Sequence, residues 1–179
     1  MRTEHSFRGH LLVRTWLLGV AAIVLSACES DTSQTSKTAT TEPAKVTVQV
    51  PQPEITLGAG QRTELKVNVR VPPDHHGYLD AGDDGLLIPI GFAYQEVTAL
   101  GIGLTPATGP SGERDEKFKA RVLRGDGQFV FSVDGSQASL TKTTTAKVSV
   151  RSQICNDKTE VCYPPVTDDV TVTFVPTAN

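Results

Sequence analysis

Cys155 and Cys162 stand with six residues between them in Cys155-Asn156-Asp157-Lys158-Thr159-Glu160-Val161-Cys162, and Tyr163-Pro164-Pro165 follows at once. A cysteine pair can staple a fold, or it can exchange electrons with other thiols through a mixed disulfide. The third cysteine, Cys28, closes an N-terminal segment with a different use, which leaves Cys155 and Cys162 to each other. Asn156-Asp157-Lys158-Thr159 is turn chemistry. Across a tight reversal, an even number of intervening residues lets Cys155 face Cys162 directly, with Asn156 opposite Val161. Facing residues of an antiparallel pair lie about 4.5–5.5 Å apart at Cα, and a disulfide spans about 4.4–6.8 Å, so a bond is possible near its short limit. As a staple it closes a short loop and stabilises by only about 2.5 kcal/mol. Exposed or strained disulfides are the labile ones. Spacing alone leaves both uses open.

Pro164 and Pro165 donate no backbone hydrogen bond, so the chain is expected to leave the ladder directly after Cys162 and expose its sulfur side. Asp157, Glu160, Asp168 and Asp169 disfavour a thiolate, and Lys158 is the one cation close in sequence. That balance suits a reductant or carrier more than an oxidase. His75-His76 with Asp80, Asp83 and Asp84 forms the other cluster of metal-type residues. Read as a calcium loop from Asp80, it has Gly82 where the third position needs an acid and Gly91 where a bidentate Glu belongs. It reads as a solvated polar loop. Gly101-Ile102-Gly103 lacks the third glycine of a dinucleotide fingerprint. No metal and no cofactor is expected, and Tyr78, Phe92 and Tyr94 read as core.

The elements that must position the pair are strands. Residues 46–50, 65–71, 129–133, 146–151 and 170–175 alternate apolar and polar with period two and are rich in Val, Thr and Phe. Residues 118–123 begin another. Turn signals separate them at Pro51-Gln52-Pro53, residues 57–60, Pro72-Pro73-Asp74, Gly125-Asp126-Gly127 and Asp134-Gly135. Residues 86–90 form a strand only at an edge or bulge, because of Pro89. Residues 101–116 read as a long functional or mobile connection. No segment shows helical periodicity with caps. The pattern predicts an all-β fold, an immunoglobulin-like antiparallel β-sandwich over residues 46–179.

The N-terminus reads as an export leader. Arg2, Arg8 and Arg14 precede the short apolar run from Trp16 to Leu25, and Leu25-Ser26-Ala27-Cys28 ends in small residues and a cysteine. The run is about ten residues, against about 20 for a membrane span. The ending resembles a lipobox, which predicts a signal peptide over residues 1–27 and lipidation of Cys28. Residues 28–45 then form a lipidated cysteine and a tether too polar to pack. Removing Arg2, Arg8, Arg14 and Glu4 from 17 Lys+Arg and 20 Asp+Glu leaves 14 and 19, a net charge of −5. This argues against nucleic acid and leaves the lipid as the membrane contact. Glu29 after the cysteine favours the outer membrane over the inner, and a monomer is expected. Export puts the dithiol in a compartment where disulfides persist.

The Cys155…Cys162-Tyr163-Pro164-Pro165 arrangement resembles the N-terminal periplasmic domain of DsbD, the bacterial thiol:disulfide interchange protein, from about Val46 to Val175. The resemblance implies an immunoglobulin-like fold that passes electrons to envelope proteins. It implies that Cys162 exchanges with partner thiols and that Cys155 resolves the adduct. Asp115 and Glu116 with Phe118 are similar to the acidic-aromatic cap loop that shields the dithiol in that family. Arg114 and Lys117 are this sequence's own, and six residues separate the cysteines where the family has five. With no membrane conduit or thioredoxin-like module before Asn179, the resemblance implies a separate electron donor. The reading from another class is a non-enzymatic binding or assembly lipoprotein with a structural disulfide.

Overall fold

The structure, a computed structural model, describes residues 44–58 and 62–177. The leader, Cys28, the tether as far as residue 43, and Ala59-Gly60 of one turn signal lie outside the described residues. In chain order the strands are β1 (Thr47–Gln49), β2 (Glu54–Leu57), β3 (Arg62–Arg70), β4 (His75–Tyr78), β5 (Gly91–Ala93), β6 (Gly103–Thr108), β7 (Glu113–Asp115), β8 (Ala120–Leu123), β9 (Asp126–Asp134), β10 (Thr144–Ser152), β11 (Ile154–Asn156) and β12 (Val166–Pro176). One helical turn, α1 (Gln95–Ala99), lies between β5 and β6.

Two four-stranded sheets, ordered β1-β3-β9-β6 and β2-β12-β10-β5, form the sandwich. Period two supplies their shared core: Leu65, Val67 and Val69 of β3 and Phe131 and Val133 of β9 come from the first. Ala146, Val148 and Val150 of β10 and Val172 and Phe174 of β12 come from the second. The fold is all-β and immunoglobulin-like, and β2 runs parallel to β12. Pro51 and Pro53 break the first extended segment, so β1 stays on β3 and the chain crosses to the second sheet as β2.

Three local expectations are corrected. Residues 101–116 are largely β6 and β7 rather than an open connection. Only Leu104 of β6 is buried, because β6 is an edge strand, so it lacks the alternation that marks a half-buried one. Residues 86–90 contribute one bridge, Tyr78 to Pro89, rather than a strand. The unexpected α1 is five residues long with no side-chain cap and one buried residue, Val97, too short to show a period.

A third sheet, ordered β11-β4-β8-β7, is entered from the sandwich where β10 gives way to β11. Its Ile154 and Leu123 join the main core, while Tyr78, Ala120, Val122 and Cys155 form a second, small core with Phe118 and Leu87 against it. Gly77 of β4 faces the main core at a close approach, where a Cβ would lie 3.3 Å from Ile90 Cδ1.

Candidate functional site

The cysteines occupy the far end of the longest hairpin. β10 and β12 pair from Thr144↔Phe174 to Ser152↔Val166. Beyond Ser152 the chain passes at Gln153 into the third sheet as β11, where Ile154, Cys155 and Asn156 face Gly77, His76 and His75 of β4. Asn156 N–H donates to Val161 O at 2.9 Å, and Tyr163 N–H donates to Ile154 O at 3.0 Å. Cys155 and Cys162 are therefore the non-hydrogen-bonded pair between those two bonds, the position where facing Cα atoms come closest. They are joined as a disulfide with Cα atoms 3.9 Å apart.

The turn follows from Asn156, whose Oδ1 accepts from the N–H groups of Lys158 and Thr159, both at 2.9 Å. Glu160 closes it in the left-handed region, φ 57°, with its N–H donating to Asn156 O. The chain leaves the ladder after Tyr163 rather than directly after Cys162, since Tyr163 still has an N–H to give. Gln153 Nε2 donates to Tyr163 O at 3.0 Å where the ribbon changes sheet, and exposed Pro164-Pro165 lead back to β12.

The two sulfurs have unlike surroundings. Cys162 is exposed, whereas Cys155 is 2 % exposed within the small core. Tyr78 Oη lies 3.6 Å from Cys155 Sγ and, since a disulfide sulfur carries no hydrogen, the phenol is the donor. Tyr78 Oη also lies 3.2 Å from Nε2 of His76, whose Nδ1 is 2.6 Å from Asp157 Oδ1. Arg124 reaches both oxygens of Asp157, at 3.1 and 3.3 Å, and Glu113 at 3.0 Å. Burial, then the carboxylates of Asp115 and Asp157, push the Tyr78 phenol up. Burial also pushes Asp157 up, but the hydrogen bonds from Arg124 and His76 outweigh it and hold its carboxyl below the ordinary range.

A cap formed by the β7–β8 turn covers this side. Asp115 Oδ1 accepts from the N–H groups of Lys117 (3.0 Å) and Phe118 (3.2 Å), which bends the turn. Phe118 stands edge-on to Tyr78, with ring centroids 5.9 Å apart, and 6.4 Å from His76. Lys117 Nζ lies 5.2 Å from the Phe118 ring centre and 2.6 Å from Glu160 Oε2. Between cap and hairpin is a cavity of about 110 Å³ lined by His76, Asp115, Lys117, Phe118, Arg124, Cys155 and the hairpin residues Asn156, Asp157 and Glu160.

The structure thus brings Cys155, Cys162, Asp115 and Phe118 together. It does not bring Glu116, whose exposed side chain turns to Arg114 at 3.8 Å. The charges around the pair also differ from the sequence reading. Lys158 pairs with Asp74, Asp168 with Lys45, and Asp169 with Ser149 and Lys147, so the nearby cations are Lys117 and Arg124. Among the described residues no three metal-type side chains converge, and Asp80 is held by Arg121 at 3.0 Å. Arg124 is a site residue that sequence reasoning missed, while His76, read as part of a solvated polar loop, and Tyr78, read as core, prove to line the disulfide. The period-two step from His76 to Tyr78, which turns both to one face of β4, was the available signal.

The family model described as Thiol:disulfide interchange protein DsbD, N-terminal, matches residues 43–173. The chain belongs to this family. No curated protein sequence matches. Among solved structures, the chain is similar to the N-terminal domain of Neisseria meningitidis DsbD in the reduced form, at 20% identity and TM-score 0.39. That match covers 63% of this chain and 82% of that one. It is also similar to AggA, the major subunit of aggregative adherence fimbriae type I from Escherichia coli, at 11% identity and TM-score 0.35, covering 75% and 95%. Membership of the DsbD N-terminal family places the chain in a class of thiol:disulfide exchange domains.

Proposed function

We propose that this chain is a lipid-anchored exchange domain of the cell envelope that passes reducing equivalents to envelope proteins through Cys155 and Cys162. One observation carries the reading: a single disulfide joins an exposed sulfur, Cys162, to a buried one, Cys155. In the reduced domain the Cys162 thiolate attacks a partner disulfide, forming a Cys162–partner bond and expelling one partner thiolate. The Cys155 thiolate then attacks Cys162 Sγ, restoring the internal disulfide and expelling the second partner thiolate. Two electrons pass from domain to partner, and no cofactor is needed. Asp115 and Phe118 act as the cap, and Tyr163-Pro164-Pro165 turn the chain away so that Cys162 stays open. Electrons enter from a reduced thiol donor by the same steps reversed.

The anchor is Cys28, lipidated after removal of residues 1–27, holding a monomer at the periplasmic face, at the outer rather than the inner membrane. The decisive measurement is the reduction potential of the pair. A value above about −300 mV is expected, whereas one well below it, resistant to glutathione, marks a structural staple and favours the non-enzymatic binding lipoprotein. Cys155→Ser is expected to accumulate mixed disulfides through Cys162 in the envelope, and Cys162→Ser is not. Cys28→Ala is expected to release the protein from membranes.

A further inference from the structure

The resolving sulfur has a problem that the exchange reading leaves unsolved. Cys155 must become a nucleophile to attack and must leave with the electron pair when the disulfide is reduced, yet it is buried, and its sulfur meets a phenol rather than a cation. A buried thiolate is costly unless a proton moves with the charge. Among the described residues the polar side chain that reaches its sulfur is Tyr78, and behind Tyr78 stand His76 and Asp157 in an unbroken line of 3.6, 3.2 and 2.6 Å steps.

We propose that His76 and Asp157 form a proton store for Cys155, with Tyr78 as the relay between imidazole and sulfur. The inference rests on the exchange reading and deepens it. With the disulfide formed, the line runs in one direction: His76 Nδ1–H donates to Asp157, Nε2–H donates to Tyr78, and Tyr78 O–H donates to Cys155 Sγ. Donation in this direction uses a hydrogen on each ring nitrogen, so in this proposal the store is loaded while the disulfide stands. When a donor thiolate attacks Cys162, the electron pair of the breaking S–S bond moves to Cys155. Tyr78 gives its proton to that sulfur and takes the one on His76 Nε2, so a neutral thiol and a neutral imidazole result.

In the reduced state the outer part of the line is reversed. Cys155 S–H donates to Tyr78, Tyr78 O–H donates to Nε2, and Nδ1–H still donates to Asp157. During resolution Cys155 Sγ attacks the mixed disulfide while its proton passes through Tyr78 back to His76. Every atom in the line keeps a partner in both states, and the buried charge never rests on sulfur. Histidine is the side chain suited to hold such a proton near neutral pH.

The surroundings favour this store. The charged and titratable groups around His76 are Tyr78 of β4, Asp157 and Glu160 of the hairpin, Asp115 and Lys117 of the cap, and Arg124 after β8. Three carboxylates stand against two cations, so a protonated imidazole brings the lining to neutrality. Arg124, bound to both oxygens of Asp157, holds that carboxylate in place to receive Nδ1–H. Tyr78 touches the reacting sulfur; His76 and Asp157 act through it.

The test uses the full chain, reduced and mixed with dithionitrobenzoate, which releases one coloured thiolate when Cys162 is modified and a second when Cys155 resolves the adduct. His76→Gln keeps a hydrogen-bonding side chain but cannot take the proton. The second phase is expected to slow by at least about tenfold and to lose its pH dependence across the range where imidazoles titrate. The first phase stays within about twofold of the wild type, and His75→Gln changes neither. A wild-type second phase with an unchanged pH profile in His76→Gln overturns the relay and leaves exchange at Cys162 standing. A staple-like potential overturns the exchange reading without moving this result. Should His76→Gln misfold, wild-type protein decides: the His76 ring nitrogens are expected to show one more bound proton in the disulfide than in the dithiol at neutral pH. Identical nitrogen shifts in the two states refute the store.

Discussion

Lys117 of the cap and Glu160 of the disulfide hairpin meet at 2.6 Å, joining two turns that are 43 residues apart in the chain. Both side chains are more than half exposed, so the pair holds the cap lightly, within the roughly 0.2–1 kcal/mol usual for exposed ion pairs. Glu160→Gln is therefore expected to speed attack of small thiols on Cys162 by up to about fivefold, with thermal stability almost unchanged. Added salt is expected to reproduce the acceleration in the wild type and not in the variant. Stopped-flow reduction by glutathione at two ionic strengths checks both.

Phe118 is the heavier part of the same closure. It is half-buried against Tyr78 and His76, so Phe118→Ala should cost about 1–2 kcal/mol, less than the roughly 3–5 kcal/mol of a fully buried Phe. It is expected to accelerate reduction more than Glu160→Gln does and to abolish the salt effect. Urea denaturation of the oxidised protein and the same glutathione assay measure the two halves.

Acid should loosen the structure in a defined direction. Asp157 is held low as described above, and Asp80 is held low chiefly by the Arg121 guanidinium. A depressed folded-state value means that the unfolded chain takes up protons first as pH falls. The stabilisation is thus full above the ordinary Asp value near 3.9 and is lost as pH drops through the lower folded value. Asp80→Asn is expected to flatten part of this acid limb while leaving exchange rates unchanged. Urea midpoints from neutral pH down to about pH 2.5 test the sign.

Gly112 sets the start of the cap hairpin. Its φ is +67°, and a Cβ there would lie 2.7 Å from Val122 O and collide with Leu79 Cδ1. Gly112→Ala must move β7 or β8 and is expected to cost about 1–3 kcal/mol. Because β7 carries Asp115, the variant should also react faster with glutathione. Stability loss with unchanged reactivity would show that the cap does not depend on this turn.

What could be read from the chain divides along physical lines. Val148, Val150, Val172 and Phe174 lie in strands buried on one face, and period two exposes such strands at once. The direct opposition of Cys155 and Cys162 followed from counting residues around Asn156. β6 escaped because an edge strand with one buried side chain leaves no alternation to see. The passage of the ribbon into another sheet at Gln153 escaped because nothing local marks it. His76 looked like half of a polar pair beside His75, and only register against Cys155 shows that it faces inward. Glu116 enters the cap only through the resemblance to the family's cap loop, but it stands in the turn after β7 and its side chain goes to Arg114 instead.

The separateness of the small core, with Tyr78, Ala120, Val122 and Cys155 apart from the sandwich interior, has a consequence for how the molecule breathes. Such a cluster can open as its own cooperative unit while the eight strands of the sandwich remain closed. Amides of β4, β8 and β11 should then exchange hydrogen faster in the dithiol than in the disulfide, with those of β3, β9 and β10 indifferent to redox state. The protein would admit a partner by local unfastening, and its redox cycle would leave the frame that carries it undisturbed.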